Sequence, residues 1–191
     1  MTSVTDSTAG AGPAWRSWLG IVAVVLGVLG AAAYGTEWMK QRVIVNATPA
    51  DGRFPAAECP EDELIEEGLS VAECEQMVSN VRSYVVSAPA WFPRAQSWLA
   101  GVGTLLALLS IGVGVALVDR RTWAPAAAVA VFGALTLVDG AGFVAAVNTG
   151  PILRDVYLWN VLLWFFVHLM MTLGAAAGRA AERASPAVGH I

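Results

Sequence analysis

The chain reads as an all-α integral membrane protein of four transmembrane helices, with a small disulfide-stapled helical domain between the first and second. Three observations lead there. Of 191 residues, 57% are apolar and only 14% are charged, against about 25% charge in a soluble domain. Four separate stretches each supply the roughly 20 mostly apolar residues that a helix needs to cross a hydrocarbon core about 30 Å thick. Both cysteines, Cys59 and Cys74, fall in the one long polar segment. The apolar runs are continuous, not alternating, which argues against a membrane β-barrel. Lipid also demands that backbone polar groups be satisfied internally, so helices are expected. With 11 Lys+Arg against 15 Asp+Glu, the chain is no basic nucleic-acid binder, and its partner is the lipid bilayer.

Residues 1–17, rich in Ser, Thr, Gly and Ala, read as a flexible cytoplasmic arm. The first span, 18–37, has no charge from Leu19 to Thr36. Arg16, this apolar run and Ala31-Ala32-Ala33 also suit a signal peptide with a small-residue cleavage site. The run is longer than a signal core, which favours a retained helix. Either way the lobe that follows lies outside.

That lobe, 38–95, is too long for a plain connector and should carry structure of its own. A segment so small buries little core, so a staple between Cys59 and Cys74 is expected. Such a bond is worth roughly 3 kcal/mol in the chain-entropy picture. Ser70-Val71-Ala72-Glu73 reads as a capping box opening a helix. Cys74, Met77, Val78, Val81, Tyr84 and Val85 then make one apolar face, with Glu73, Gln76, Asn80 and Arg82 opposite. Glu61-Asp62-Glu63 and Glu66-Glu67, ended by Gly68, form a solvated acidic face or a docking surface for a basic partner. Asn46-Ala47-Thr48 matches the glycosylation triplet. One Lys against ten Arg in an Ala/Gly-rich chain points to a high-GC bacterial genome, in which the triplet is accidental.

The second span, 96–118, stops at Asp119-Arg120-Arg121. A short cytoplasmic loop, 119–123, leads to the third span, 124–147, which has Pro125 suitably placed in its first turn. An outer loop, 148–155, the fourth span, 156–178, and a flexible cytoplasmic tail, 179–191, complete the chain. Arg120 and Arg121 in so short a loop, with Arg16, Arg179 and Arg183, favour both termini inside. Lys40, Arg42, Arg53, Arg82, Arg94 and Arg154 stand on the other side, but mostly in the long loop, where that rule loses force. A cysteine pair confined to the lobe fits an oxidising compartment beyond a bacterial inner (cytoplasmic) membrane. Trp38, Trp91, Trp98 and Trp159 at one set of helix ends, and Trp15, Trp18 and Trp123 at the other, suit headgroup depth.

Asp139 is the most informative residue. It lies about 5 Å from the midplane by helical rise, where an acid costs at least ~2.5 kcal/mol and must face other helices or a cavity. Thr136 lies one turn before it. On the fourth span Asn160, Trp164 and His168 recur every four residues. Counting depth puts Asn160 level with Asp139 and His168 roughly 9 Å further inward. The expected contact is therefore an Asp139–Asn160 hydrogen bond, with His168 out of direct reach. These polar residues are either interhelical glue or stations in a proton path or ligand site. Ala23, Gly27, Ala31 and Gly35 on the first span, Gly174 and Gly178 on the fourth, and Ser110 with Gly114 on the second suggest close helix packing.

No nucleophile–base pair, phosphate loop, dinucleotide fingerprint or zincin pattern is present, so no catalytic residue is expected. Cys/His metal spacings are absent as well. A bis-histidine haem is excluded because the other histidine is His190, in the tail. No metal or cofactor is expected. The two outer cysteines on a four-helix chain resemble quinone-linked thiol oxidases. Those depend on a CxxC pair, absent here, so the resemblance implies no redox site and Cys59–Cys74 reads as a structural bridge. The expected function is a non-catalytic accessory or structural subunit of a larger bacterial envelope complex. It would bind a membrane-protein partner, or a second copy of itself, through its helices and outer domain. The alternatives are a small proton-coupled transporter or channel centred on Asp139 and, behind it, a thiol–quinone oxidoreductase.

Overall fold

The computed structural model describes residues 14–47, 59, 60, 62, 64, 66 and 68–184, without the side chains of 45, 47, 81 and 84–87. Among the described residues there are five helices and no strand. They are α1 (Ala14–Ala47), α2 (Val71–Ser87), α3 (Phe92–Val118), α4 (Ala124–Val147) and α5 (Pro151–Ala184). All but α2 are long and apolar enough to cross a membrane, the pattern of a multi-pass membrane protein. Proline opens three of them, as Pro93 in α3, Pro125 in α4 and Pro151 in α5. There its missing N–H costs nothing and its fixed φ suits the helix.

The four long helices run alternately up and down. Gly20 of α1 faces Gly114 of α3, while Gly101 lies against Trp38, so α1 and α3 are antiparallel. Gly133 faces Thr172 and Gly142 faces Val161, so α4 and α5 are antiparallel too. The α1–α3 and α4–α5 pairs have the most extensive contacts, α3–α4 is next, and α1 meets α5 sparingly. Arg16 pairs with Glu182 through two bonds of 2.6 and 2.5 Å, which places the start of α1 and the end of α5 at one end of the bundle. That end is called the terminal end below, and the other, which carries α2, the lobe end.

The buried positions show why the helices pack this way. In α1 the buried or half-buried residues include Gly20, Ala23, Gly27, Gly30, Tyr34, Glu37 and Gln41. In α3 they include Gln96, Ala100, Gly103, Ala107, Ser110, Gly114 and Leu117. In α4 they include Pro125, Ala128, Phe132, Leu135, Asp139, Gly142 and Ala146. Each series alternates steps of three and four, the seam of a left-handed helix pair. A stripe repeating every four residues instead rotates about 40° per step on a 3.6-residue helix and leaves the interface.

This corrects the expected small-residue stripes. Ala23 and Gly27 are buried on the seam, Ala31 is only half-buried, and nothing lies within 4 Å of a Cβ built on Gly35. Gly178 is covered by the Trp15 ring, whereas Gly174 is exposed and open. Ser110 and Gly114 are both buried, as expected.

The main core lies toward the terminal end, around the fully buried Leu117, Phe132 and Leu135 with Val113 and Met171. A smaller one at the lobe end holds Phe92, Ala145, Ala146, Leu153 and Tyr157. Between α3 and α4 the chain reverses at Arg120, whose φ of 57° is left-handed. The Arg121 N–H then closes back on the Ala116 carbonyl at 3.0 Å, the wide capping bond that ends a helix after a left-handed residue.

The helices extend past the predicted spans. α1 begins at Ala14 and continues to Ala47, and α5 runs from Pro151 to Ala184. In the lobe, Cys59 and Cys74 are disulfide-bonded with Cα atoms 6.2 Å apart. The capping box forms: the Glu73 carboxylate accepts from the Ser70 N–H at 2.8 Å, and the Ser70 hydroxyl accepts from the Glu73 N–H at 3.3 Å. Asp62 and Glu66 are exposed. The expected inward face of α2 is only partly inward. Cys74 and Val78 are half-buried, but Met77 is exposed, and the contact of α2 with the bundle is slight and mainly along α5. Residues 1–13, Arg53, Glu61, Glu63, Glu67, the side chains of Val81, Tyr84 and Val85, and 185–191 lie outside the described residues.

Candidate functional site

Three side chains from three helices converge where the sequence places one acid. Asp139, on the α4 seam, is 4% exposed and His168 on α5 is 2% exposed. His168 Nδ1 is 2.6 Å from Asp139 Oδ2, and the Tyr34 hydroxyl of α1 donates to Asp139 Oδ1. Both carboxylate oxygens are thus engaged. Among the described residues Asp139 is the only hydrogen-bond partner of the imidazole.

Packing fixes the three groups. A Cβ on Gly103 of α3 would sit 2.7 Å from the Tyr34 ring, so that ring lies flush on a helix backbone. Trp164, one turn before His168, stacks on the imidazole at 5.5 Å between centroids and 24° between planes. The same indole meets Tyr34 at 6.3 Å. Below the site, the Thr136 and Thr172 hydroxyls hydrogen-bond across α4 and α5 at 3.2 Å. Thr172 also donates to the His168 carbonyl at 2.8 Å. Thr136 is thus linked through Thr172 to the backbone of His168.

Two expectations fail here. His168, expected out of direct reach of Asp139, touches it directly. Asn160 was to hydrogen-bond Asp139, yet it is exposed and Asp139 is taken by Tyr34 and His168. The depth count assumed that α4 and α5 leave their turn at the same level. Gly140 lies against Phe165 and Gly142 against Val161, so α5 enters the bundle several residues ahead of equal counting from the turn. Tyr34 was missed. The signal that finds it is the three-four seam Gly20, Ala23, Gly27, Gly30, Tyr34, which a four-residue repeat passes by.

A second polar cluster, also missed, lies at the lobe end one turn beyond Tyr34. The Tyr157 hydroxyl of α5 donates to Glu37 Oε1 at 2.6 Å. Gln41 Nε2 donates to the same oxygen at 2.7 Å and to the Tyr157 hydroxyl at 3.0 Å. Lys40 Nζ lies 3.2 Å from the Tyr157 hydroxyl and 3.6 Å from Glu37 Oε2. Toward the terminal end the surroundings are apolar, with Phe132, Leu135, Leu117, Met171 and Ala175 buried. Among the described residues no group of three or more His, Cys, Asp and Glu side chains is placed to hold a metal. Compared with known protein families, curated proteins and solved structures, the chain finds no match.

Proposed function

We propose that this is a small proton-coupled transporter or conduit of a bacterial cytoplasmic membrane, with Asp139 as its proton-exchange site. The carrying observation is the burial of an acid against an imidazole, with a phenol on its second oxygen. Interhelical glue needs only neutral polar groups, and an ionisable group at this depth is costly unless it is used. An imidazole takes a proton at one nitrogen and releases it from the other, which suits a station in a relay.

The flanking groups support a direction. Glu37 lies three residues beyond Tyr34, about 4.5 Å of helical rise, and its cluster continues to the lobe end. The opposite half has the Thr136 and Thr172 hydroxyls and the buried Ser110 hydroxyl, which donates to the Ala107 carbonyl, around the apolar core. In this reading Asp139 exchanges protons with the lobe-side compartment while that core seals the other side, and transfer across requires the seal to open. We place the lobe outside the cytoplasm and both chain ends inside, supported by Arg120 and Arg121 in a short turn and by the disulfide.

In liposomes, Asp139→Asn should reduce pH-gradient-driven proton flux to the level of protein-free vesicles while leaving helicity and elution volume unchanged. Undiminished flux in that variant, or none in the wild type, overturns the reading.

A second reading, a non-catalytic accessory subunit of a larger envelope complex, is favoured by Gly112 and Gly174. Both are exposed with nothing within 4 Å of a Cβ, so the bundle leaves room there for a partner helix to approach closely. Purification in mild detergent should then recover a stoichiometric membrane partner. A lone monomer counts against it.

A further inference from the structure

Where α1 and α3 diverge at the lobe end, two adjoining cavities share Arg42, Ser97 and Trp98. The first is a groove of about 500 Å³ lined further by Trp38, Gly101, Val102 and Leu105. Its floor is open because position 101 is glycine. A Cβ there would already touch the Trp38 ring at 3.5 Å, and any longer side chain would fill the groove. Its lower wall is apolar and outward-facing, with Trp98 77% and Leu105 64% exposed. The second cavity, of about 260 Å³, caps the groove with Arg42, Asn46, Arg94 and Ser97.

The two parts differ in chemistry as the two parts of an amphiphile do. The cap holds two guanidinium groups and no carboxylate. The nearest acid along α1, Glu37, is engaged with Lys40, Gln41 and Tyr157. Among the described residues neither Arg42 nor Arg94 forms an ion pair. Arg42 instead lies over the Trp38 ring, 5.4 Å from its centroid. That contact holds the guanidinium in place through its face and leaves its N–H edge free to donate. A planar fork of N–H donors matches phosphate oxygens. Trp38 and Trp98 beside it mark the depth at which lipid headgroups lie.

We propose that this notch is a binding site for one anionic glycerophospholipid, its phosphate held by Arg42 and Arg94 and one acyl chain lying in the groove past Val102 and Leu105. Ser97 and Asn46 supply hydrogen bonds to the headgroup beyond the phosphate. The site selects a net negative headgroup because a choline ammonium placed beside two guanidinium groups is repelled. The proposal does not depend on Asp139 or on which side of the membrane the lobe occupies.

Native mass spectrometry of the full chain in an uncharged maltoside detergent tests it, with phosphatidylglycerol, phosphatidylcholine and glycerol 3-phosphate as separate titrants. One phosphatidylglycerol should bind per chain at roughly tenfold lower concentration than phosphatidylcholine, and glycerol 3-phosphate should not bind. Arg42→Gln with Arg94→Gln should erase that preference, and Arg179→Gln with Arg183→Gln at the terminal end should keep it. Gly101→Leu should lower occupancy by both lipids at unchanged helicity. Equal affinity for the two lipids in the wild type overturns the proposal, as does a preference that survives the double arginine variant. So does glycerol 3-phosphate binding as tightly as the lipid, which would make this a free-phosphate site. A lipid-free dimer would assign the notch to a second copy instead.

Discussion

Asp139 reaches His168 because the two residues lean toward each other. A helical Cα–Cβ bond tilts toward the N-terminus of its own helix. α4 starts at the terminal end, so Asp139 leans that way, while α5 starts at the lobe end and His168 leans to meet it. Asn160 leans away from Asp139 for the same reason. The sequence shows that an acid lies in the third span, but its partner depends on register and lean together, neither of which composition encodes. At the same scale, Glu73 is legible from four residues alone, since a capping box is purely local. The Ser70 N–H and then the Ser70 hydroxyl hold the Glu73 carboxyl below the usual carboxylate range. A folded-state value lowered in this way adds stability above the ordinary carboxylate pKa, and that stability is lost as pH falls through the lowered value. Hydrogen-exchange protection in the first turn of α2 should therefore fall below about pH 4. In Glu73→Gln, which still accepts the same bond, it should not. Protection that falls equally in both forms would remove Glu73 as the cause.

For the helices as elements, the three-four alternation decides which glycines matter. The sequence shows many Gly and Ala residues, and a four-residue repeat picks out Gly35 and Gly174, which face outward. The seam positions Gly20, Gly27 and Gly114 are the ones that let backbones meet. A Cβ on Gly114 would sit 2.7 Å from the Gly20 carbonyl oxygen and 3.0 Å from the Val24 nitrogen, and a backbone cannot yield as a side chain can. Gly114→Ala should therefore cost about 1–3 kcal/mol through overpacking. Gly112→Ala, two residues away with open space around it, should be neutral or stabilise by up to about 1 kcal/mol through helix propensity. Thermal unfolding of both variants in detergent measures the difference. Equal midpoints would mean that α1 and α3 do not meet along this seam.

In the molecule as a whole, the four spans and the stapled lobe were legible because lipid imposes length and apolarity on each segment separately. The Cys59–Cys74 pairing was legible because two cysteines allow one intramolecular bridge. Helix adjacency and register were not, because each apolar face looks alike until neighbours select among its rotations. The polar cluster at Glu37, Gln41 and Tyr157 stayed hidden for that reason: its members are 116 and 120 residues apart and only the packed bundle joins them. The pairing of Arg16 with Glu182, reinforced by the Trp15 indole N–H at 3.1 Å, spans a still greater separation. It ties the first helix to the last, which otherwise touch little. During synthesis Arg16 must wait for the 166 residues that separate it from Glu182 to emerge before it meets its partner. The circle of helices is thus closed by the last turns of α5, which emerge after His168 is already available to Asp139.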